Sequence, residues 1–143
     1  MNLKQLLLSI GELGIRQKLI NYSAAGTSLS QINPLSIDFY PLLFQSPTGS
    51  HRVKENTTIY EITLYYVDRL LEDNSNDIEI FSSAIENLKN LVRGISFIDG
   101  VVDVKSDYII RNFADTEKMN DRLAGAYLNV QIEVVEDTIC YTE

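Results

Sequence analysis

The sequence predicts an α+β domain: one antiparallel or mixed β-sheet with two helices packed on one face. Three observations carry this. Two long stretches, 57–69 and 122–136, alternate residue character with the period of a strand. Two others, 2–22 and 76–93, repeat apolar residues at three and four, the stripe of a helix with one buried face. The order is helix, strands, helix, strands, without the regular β–α alternation of a parallel sheet, so both helices are expected on one side. The 143 residues fit one domain, 1–143, with no repeat, linker or low-complexity tract. A chain of this size buries roughly 68–70% of its unfolded surface, enough for a core without metal or disulfide support.

In the first helix, predicted over 2–22, Leu3, Leu6, Leu7, Ile10 and Leu13 share a face, and the pattern resumes at Ile15, Leu19 and Ile20. Gly11 and Gly14 each cost about 1 kcal/mol against Ala, so they predict a bend or a close neighbour. Ser23-Ala24-Ala25-Gly26 is expected to end the helix. A short strand is expected between Thr27 and Pro34. The next strand is predicted over 36–45, and Pro41, which lacks an N–H, marks it as an edge strand or a bulged one. Gln45–Asn56, with Pro47, Gly49 and Ser50, reads as the tip of a long hairpin.

The strand at 57–69 and the helix at 76–93 organise the rest. Tyr60, Ile62, Leu64 and Tyr66 form an apolar face, while Ile59, Glu61, Thr63, Tyr65 and Val67 form a mixed one. After a polar turn, Asn76 is the expected N-cap and Glu79 its capping-box partner. Phe81, Ala84, Ile85, Leu88, Leu91 and Val92 make the helix stripe, and Gly94 stands where the helix should stop. Residues 95–107 read as a connector turning at Asp99-Gly100. Strands are expected over 107–113 and 122–136, paired antiparallel across a polar loop at 114–121. Along the last, Ala126, Leu128, Val130, Ile132 and Val134 face one way.

Composition narrows the function. Twenty acids against twelve bases give a net charge of −8, which opposes a nucleic-acid grip built on a basic face. The charge is uneven: Lys4, Arg16 and Lys18 oppose only Glu12 in the first eighteen residues, and no base follows Arg122. A mildly basic start and an acidic end suit solubility and also head-to-tail stacking. Cys140 is the only cysteine, so no internal disulfide is expected. Leu6–Leu8 is too short for a signal-peptide core, and no apolar run approaches a membrane span. The chain is expected in a cytoplasm, or in a particle assembled there. The Asn56-Thr57-Thr58 sequon therefore carries no weight.

No residue set points to catalysis, a cofactor or a metal. His51 is the only histidine and has no ligand-type residue near it in sequence. Asp73, Ser75 and Asp77 have the opening spacing of a calcium loop, but Ile78 and Ala84 stand where that loop needs Gly and Glu, so a turn and cap explain them better. Gly94, Gly100 and Gly125 form no phosphate-binding loop. Tyr65, on the mixed face of one strand, and Tyr127, on the polar face of the last, from eight tyrosines and no tryptophan, are candidate amphipathic anchors for a partner if those faces are exposed; the alternative is a sheet face covered by the chain's own loops.

The run TLYYVDRLLEDNSNDIEIFSSAIENLKNLV at Thr63–Val92, followed by DRLAGAYLNVQIEVVEDTICY at Asp121–Tyr141, resembles small neck and tail-completion proteins of tailed bacteriophages, most of all those of crAss-like phages. Shared features are the aromatic strand leading into Val67-Asp68-Arg69-Leu70, Asp73 and Asn76 before an amphipathic helix, and a late strand opening with Ala124-Gly125-Ala126-Tyr127. The first 56 residues share only the order of elements. The resemblance implies a tail-terminator-like fold and a homo-oligomeric ring, six- or twelve-fold, within the virion neck or tail. Such a ring joins portal to tail, touches portal, neck or tail proteins, and passes DNA without sequence-specific contact. It implies no enzyme activity, cofactor or membrane. Neighbour contacts are expected at Gln45–Asn56 and Ala114–Asp121. The alternative is a small α+β ligand-sensing or regulatory domain, since fold does not fix function.

Overall fold

A computed structural model describes residues 1–27, 39–71, 75–115 and 123–136. Helix α1 spans Leu3–Arg16 and opens on a capping box. Gln5 N–H donates to Asn2 Oδ1 at 2.9 Å, and Asn2 N–H donates back to Gln5 Oε1 at 2.8 Å, which satisfies two of the helix's orphan donors. Leu6, Ile10 and Leu13 face the core.

The helix ends six residues before the predicted boundary of 22. Lys18 takes a left-handed φ of 60°, Leu19 N–H donates to the Gly14 carbonyl at 2.9 Å, and Lys18 N–H donates to that of Ile15 at 3.0 Å. This pair of bonds closes the C-terminus as a Schellman turn without a glycine. The turn folds Ile20 back onto Gly14, where an added Cβ would lie 2.9 Å from Ile20 Cδ1. Leu19 and Ile20 thus continue the apolar pattern after the helix has stopped. Tyr22–Ala25, expected to terminate a helix, is instead strand β1. It runs so close to α1 that a Cβ on Gly11 would lie 2.6 Å from Ser23 Oγ.

Strand β2 (Leu42–Ser46) is shorter than the predicted 36–45. Residues 28–38, with the strand expected near Thr27–Pro34 and the start of the 36–45 strand, lie outside the described residues. Pro41 follows a cis peptide bond and sits one residue before β2, so its missing N–H costs the ladder nothing. The edge-strand expectation is also corrected: β2 lies between β1, its parallel neighbour, and β4 (Thr57–Arg69), its antiparallel one. The connection at 46–56 carries the two-residue strand β3 (Arg52–Val53), which folds back on Thr58 and Ile59.

Strand β4 matches its prediction, and helix α2 (Asp77–Ile95) comes within a residue or two of its own. Asn76 takes the expected N-cap position, its carbonyl accepting from Ile80 N–H at 3.0 Å, but its side chain makes no capping bond and no capping box with Glu79 forms. Its side chain is otherwise engaged: Oδ1 accepts from Leu71 N–H at 2.9 Å, and Nδ2 donates to the Arg69 carbonyl at 3.0 Å. It therefore ties down the exit of β4. Gly94 does not stop the helix. It is buried inside it, against Leu13 of α1 and Gln17 at the end of that helix, where it allows the two helices to approach.

The connector expected over 95–107 contains strand β5 (Val101–Ser106), which follows the predicted turn at Asp99-Gly100. The strand predicted over 107–113 begins later, as β6 (Arg111–Asp115). The loop expected at 114–121 starts inside β6, and 116–122 lie outside the described residues. Strand β7 (Leu123–Val135) closes the chain's central pairing, and the tail from 137 with Cys140 is outside the described residues.

Among the described residues the result is one mixed seven-stranded sheet with two helices, an α+β fold. Its spine is β4 and β7, paired antiparallel from Thr57↔Val135 to Arg69↔Leu123. Outside β4 lie β2 and then β1, with β3 beside the start of β4. Outside β7 lie β5 and β6, against opposite halves of the strand. Both helices cover the face that carries Ile62, Leu64, Tyr66, Ala126, Leu128, Val130 and Ile132, and with Leu43 these residues form the main core. The predicted alternation in both long strands therefore assigns the faces correctly.

Candidate functional site

The face away from the helices is the candidate site, and it divides into two halves. One half is aromatic. Register sets Phe44 opposite Tyr65 and Tyr65 opposite Tyr127, and sets Phe113 opposite Gly125, beside both tyrosines. Tyr65 and Tyr127 have ring centroids 5.2 Å apart. Phe44 and Phe113 each meet Tyr65 edge-on at 6.2 Å. Such contacts add about 0.5–1.5 kcal/mol each beyond area burial. Phe44 is fully buried, with Leu42, Val67, Leu123 and Tyr40 around it. Tyr65, Phe113 and Tyr127 are half-buried. Burial raises the Tyr65 phenol above its ordinary pKa, and Tyr127 adds to the rise, so the Tyr65 hydroxyl keeps its proton at physiological pH.

The two candidate anchors thus stand together, but they are largely engaged with one another and with the phenylalanines. Gly125 makes this possible. A Cβ there would overlap the Tyr66 carbonyl oxygen of the neighbouring strand and come within 2.8 Å of its carbon.

The other half is polar. Glu61, Asp103, Lys105, Gln131 and Glu133, with Ser50, His51 and Arg52 from the hairpin, line a shallow cleft of about 220 Å³. Thr63 Oγ1 donates to Asn129 Oδ1 at 2.7 Å between the two halves. At the far end Thr57 Oγ1 donates to Glu133 Oε2 at 2.7 Å, and Lys54 Nζ lies 3.5 Å from the same oxygen. The hydroxyl, and then the ammonium, hold the Glu133 carboxyl below the usual carboxylate range. The hairpin is fastened to the end of β7 by these contacts and by the Glu136 N–H bond to the Asn56 carbonyl at 3.1 Å.

His51 lies in this half as an exposed packing residue. Its ring meets Tyr60 edge-on at 5.3 Å, and Nδ1 accepts from Glu61 N–H at 3.3 Å. Among the described residues no group of three or more His, Cys, Asp or Glu side chains is arranged to hold a metal. Asp77 accepts from Ile78 N–H at 2.6 Å, and Asp73 is outside the described residues. Gly100 has a φ of 93° and serves the turn into β5.

Two perturbed titratable groups, buried Tyr66 and half-buried Asp68, sit away from this face. Burial pushes the Tyr66 hydroxyl up to about 12, against the lowering effect of Asn87, whose Nδ2 donates to it at 3.4 Å. Asp68 is raised by burial, partly offset by the Arg69 N–H that it accepts at 2.8 Å.

A second surface was missed from sequence. Between α1 and β1 runs an apolar groove of about 430 Å³, lined by Leu3, Leu7, Leu8, Ile15, Ala24 and Gln45, among others. Gln45 Nε2 donates to the Leu7 carbonyl at 2.8 Å and lies 3.2 Å from Ser23 Oγ, while its buried Oε1 has no hydrogen bond. The sequence signal was Leu8, an apolar residue off the stripe of α1; Ile15, expected within that stripe, is instead partly exposed on the groove. Among the described residues no helix is long and apolar enough to cross a membrane. No protein-family model matches the chain, and no curated protein matches it in sequence.

Proposed function

We propose that the protein is a structural subunit of a phage virion neck or tail ring, which joins portal to tail and forms part of the DNA ejection channel. One observation carries the reading. The described parts of the two stretches with the phage-like pattern, Thr63–Val92 and Asp121–Tyr141, include the end of β4, most of α2 and all of β7, and these elements pack together at the centre of the fold. A resemblance shared by one contiguous unit is what a common fold would leave in sequence. The acidic balance agrees with it, since a channel wall that repels phosphate lets DNA slide. The hairpin at 46–56 projects polar, mixed-charge side chains suited to contacts with neighbours in a stacked particle.

Light-scattering mass across a concentration series, with negative-stain images of the largest species, tests this. Closed rings with a central hole are the expected result. A stable monomer or dimer at every concentration counts against a self-closing ring. A second reading, a ligand-sensing domain, is favoured by the apolar groove between α1 and β1. A rise in melting temperature with one compound of a metabolite set would support it over the first.

A further inference from the structure

We infer that the groove between α1 and β1 binds an uncharged molecule with an aliphatic chain and a terminal hydroxyl, which donates its proton to Gln45 Oε1. This rests on the ligand-sensing reading of the groove and not on the ring. On β2 Gln45 shares a face with Leu43 of the main core, so the strand carries its amide under α1, where it is 1% exposed. Nε2 donates to the Leu7 carbonyl of α1 at 2.8 Å and lies 3.2 Å from Ser23 Oγ of β1. Leu7, Ser23 and Gln45 all line the groove, so the amide spans its floor from wall to wall. The Leu7 bond also fixes which end of the amide is which. Turned over, the amide would set Oε1 against the Leu7 carbonyl oxygen, acceptor against acceptor.

Oε1 is then left over. It is the one buried side-chain polar atom without a hydrogen bond among the described residues. Buried acceptors without a donor are costly, and native structures hold few of them. Here the orphan falls on the floor of an apolar groove, and apolar walls around a few placed polar groups are the usual make-up of a ligand site.

The chemistry of the ligand follows from the lining. Nε2 is already engaged and Oε1 is not, so the ligand must bring an O–H or N–H. The walls carry Leu3, Leu7, Leu8 and Ile15, so its body is a hydrocarbon chain. Leu8 and Ile15 are 57% and 46% exposed, which leaves the rim open for the chain to enter. Lys4 and Glu12 are the only charged residues in the lining, one of each sign, so the groove favours neither an anion nor a cation. A carboxylate at the floor would face Oε1 with no proton to share. An ammonium would give up its water for a single neutral acceptor. A hydroxyl supplies the donor without a charge.

The test titrates the protein with straight-chain alcohols from 1-pentanol to 1-nonanol, each paired with its isomeric methyl ether, which keeps the atoms and lacks the O–H. Calorimetry measures affinity, and proton–nitrogen NMR reports where the probe sits. Affinity should rise about three- to fourfold with each added methylene. Each alcohol should bind at least about tenfold more tightly than its ether and shift the Gln45 side-chain amide resonances. Leu8→Asn, on the exposed rim, should weaken both probes alike and leave their ratio unchanged. Gln45→Met should abolish the preference for alcohol and keep the dependence on chain length. Alcohol and ether that bind equally well to the wild-type protein would overturn the assignment of the hydroxyl and leave the ligand-sensing reading standing. Probes that bind nowhere, or that shift residues other than Leu7, Ser23 and Gln45 and their neighbours, would overturn both.

Discussion

Replacing Gly125 by Ala tests whether the β4–β7 spine holds the fold together. An added Cβ would overlap the Tyr66 carbonyl oxygen and lie 2.8 Å from Tyr66 C and 3.2 Å from Val67 Cα. All three atoms are backbone, so no side-chain rotation relieves the overlap, and the two strands must part locally. Parting disturbs roughly two ladder hydrogen bonds at about 1 kcal/mol each. The displaced packing around Tyr66 and Val67 adds about 1–3 kcal/mol. The expected loss is about 3–5 kcal/mol, a large share of the 5–15 kcal/mol typical of a domain. For a chain of this length that corresponds to a fall in Tm of roughly 10–15 °C. Urea denaturation followed by circular dichroism measures it, with the midpoint shifted and the slope unchanged. Gly49→Ala is the control. Its Cβ would meet the Glu61 side chain, whose Cγ and Cδ at 2.7 Å can swing away while Cβ at 2.9 Å must give slightly, so the expected loss is about 1 kcal/mol, well below that of Gly125→Ala. A Gly125→Ala protein within about 1 kcal/mol of wild type would refute the reasoning.

Asn76→Ala should lose about 1–2 kcal/mol in chemical denaturation, because it removes both bonds that fasten the exit of β4, whereas Glu79→Ala should be nearly neutral. Equal losses would mean that a capping box exists after all. Asp68 has a raised pKa in the folded protein, so the native state binds the proton more tightly than the unfolded one. Stability from this group is therefore present at low pH and falls as pH rises from the ordinary carboxylate range through the raised value. Asp68→Asn, which keeps an acceptor for the Arg69 N–H, should raise the melting temperature at neutral pH and lose that advantage in acid, below the ordinary carboxylate range. A variant less stable than wild type at neutral pH would contradict burial as the dominant influence on Asp68.

The sequence was most legible where one periodicity ran long enough to dominate. In β4 and β7, thirteen residues of alternation identified the strands and their buried faces. In α2 the stripe identified the helix, but its details failed for local reasons. Asn76 has the chemistry of a cap, and a neighbouring strand end competed for its side chain. Gly94 has the usual identity of a stop signal, and interhelical contact claimed it instead. The end of α1 was hidden because a Schellman turn built on Lys18 carries no glycine. Strands β1 and β5 were illegible for opposite causes. Ser23-Ala24-Ala25 has little strand propensity and pairs because tertiary packing draws it to β2. In β5 the irregularity after Val101 breaks the alternation that would have announced it. Tyr65 and Tyr127 were legible as residues on the less apolar faces of their own strands, but neither their pairing nor their partners Phe44 and Phe113 follow without the register. The groove depends on β1, so no reading that misses β1 reaches it.

The position of β7 also governs how the chain can fold. This strand pairs with β4, β5 and β6, so three strands made earlier depend on one made late. Its partners are distant: Thr63 and Asn129, whose side chains bond across the spine, are 66 residues apart. Contacts of such long sequence separation place folding toward the slower end for single domains. A chain emerging from the ribosome can form α1 and α2 as local helices, but it holds the open sides of β4, β5 and β6 in solution until the whole of β7 has been made. Chains interrupted before that point leave β4 paired only on its β2 side, with the other edge open, which makes them prone to aggregate. The full chain should acquire protection from hydrogen exchange in β4, β5 and β6 in one step, upon docking of β7.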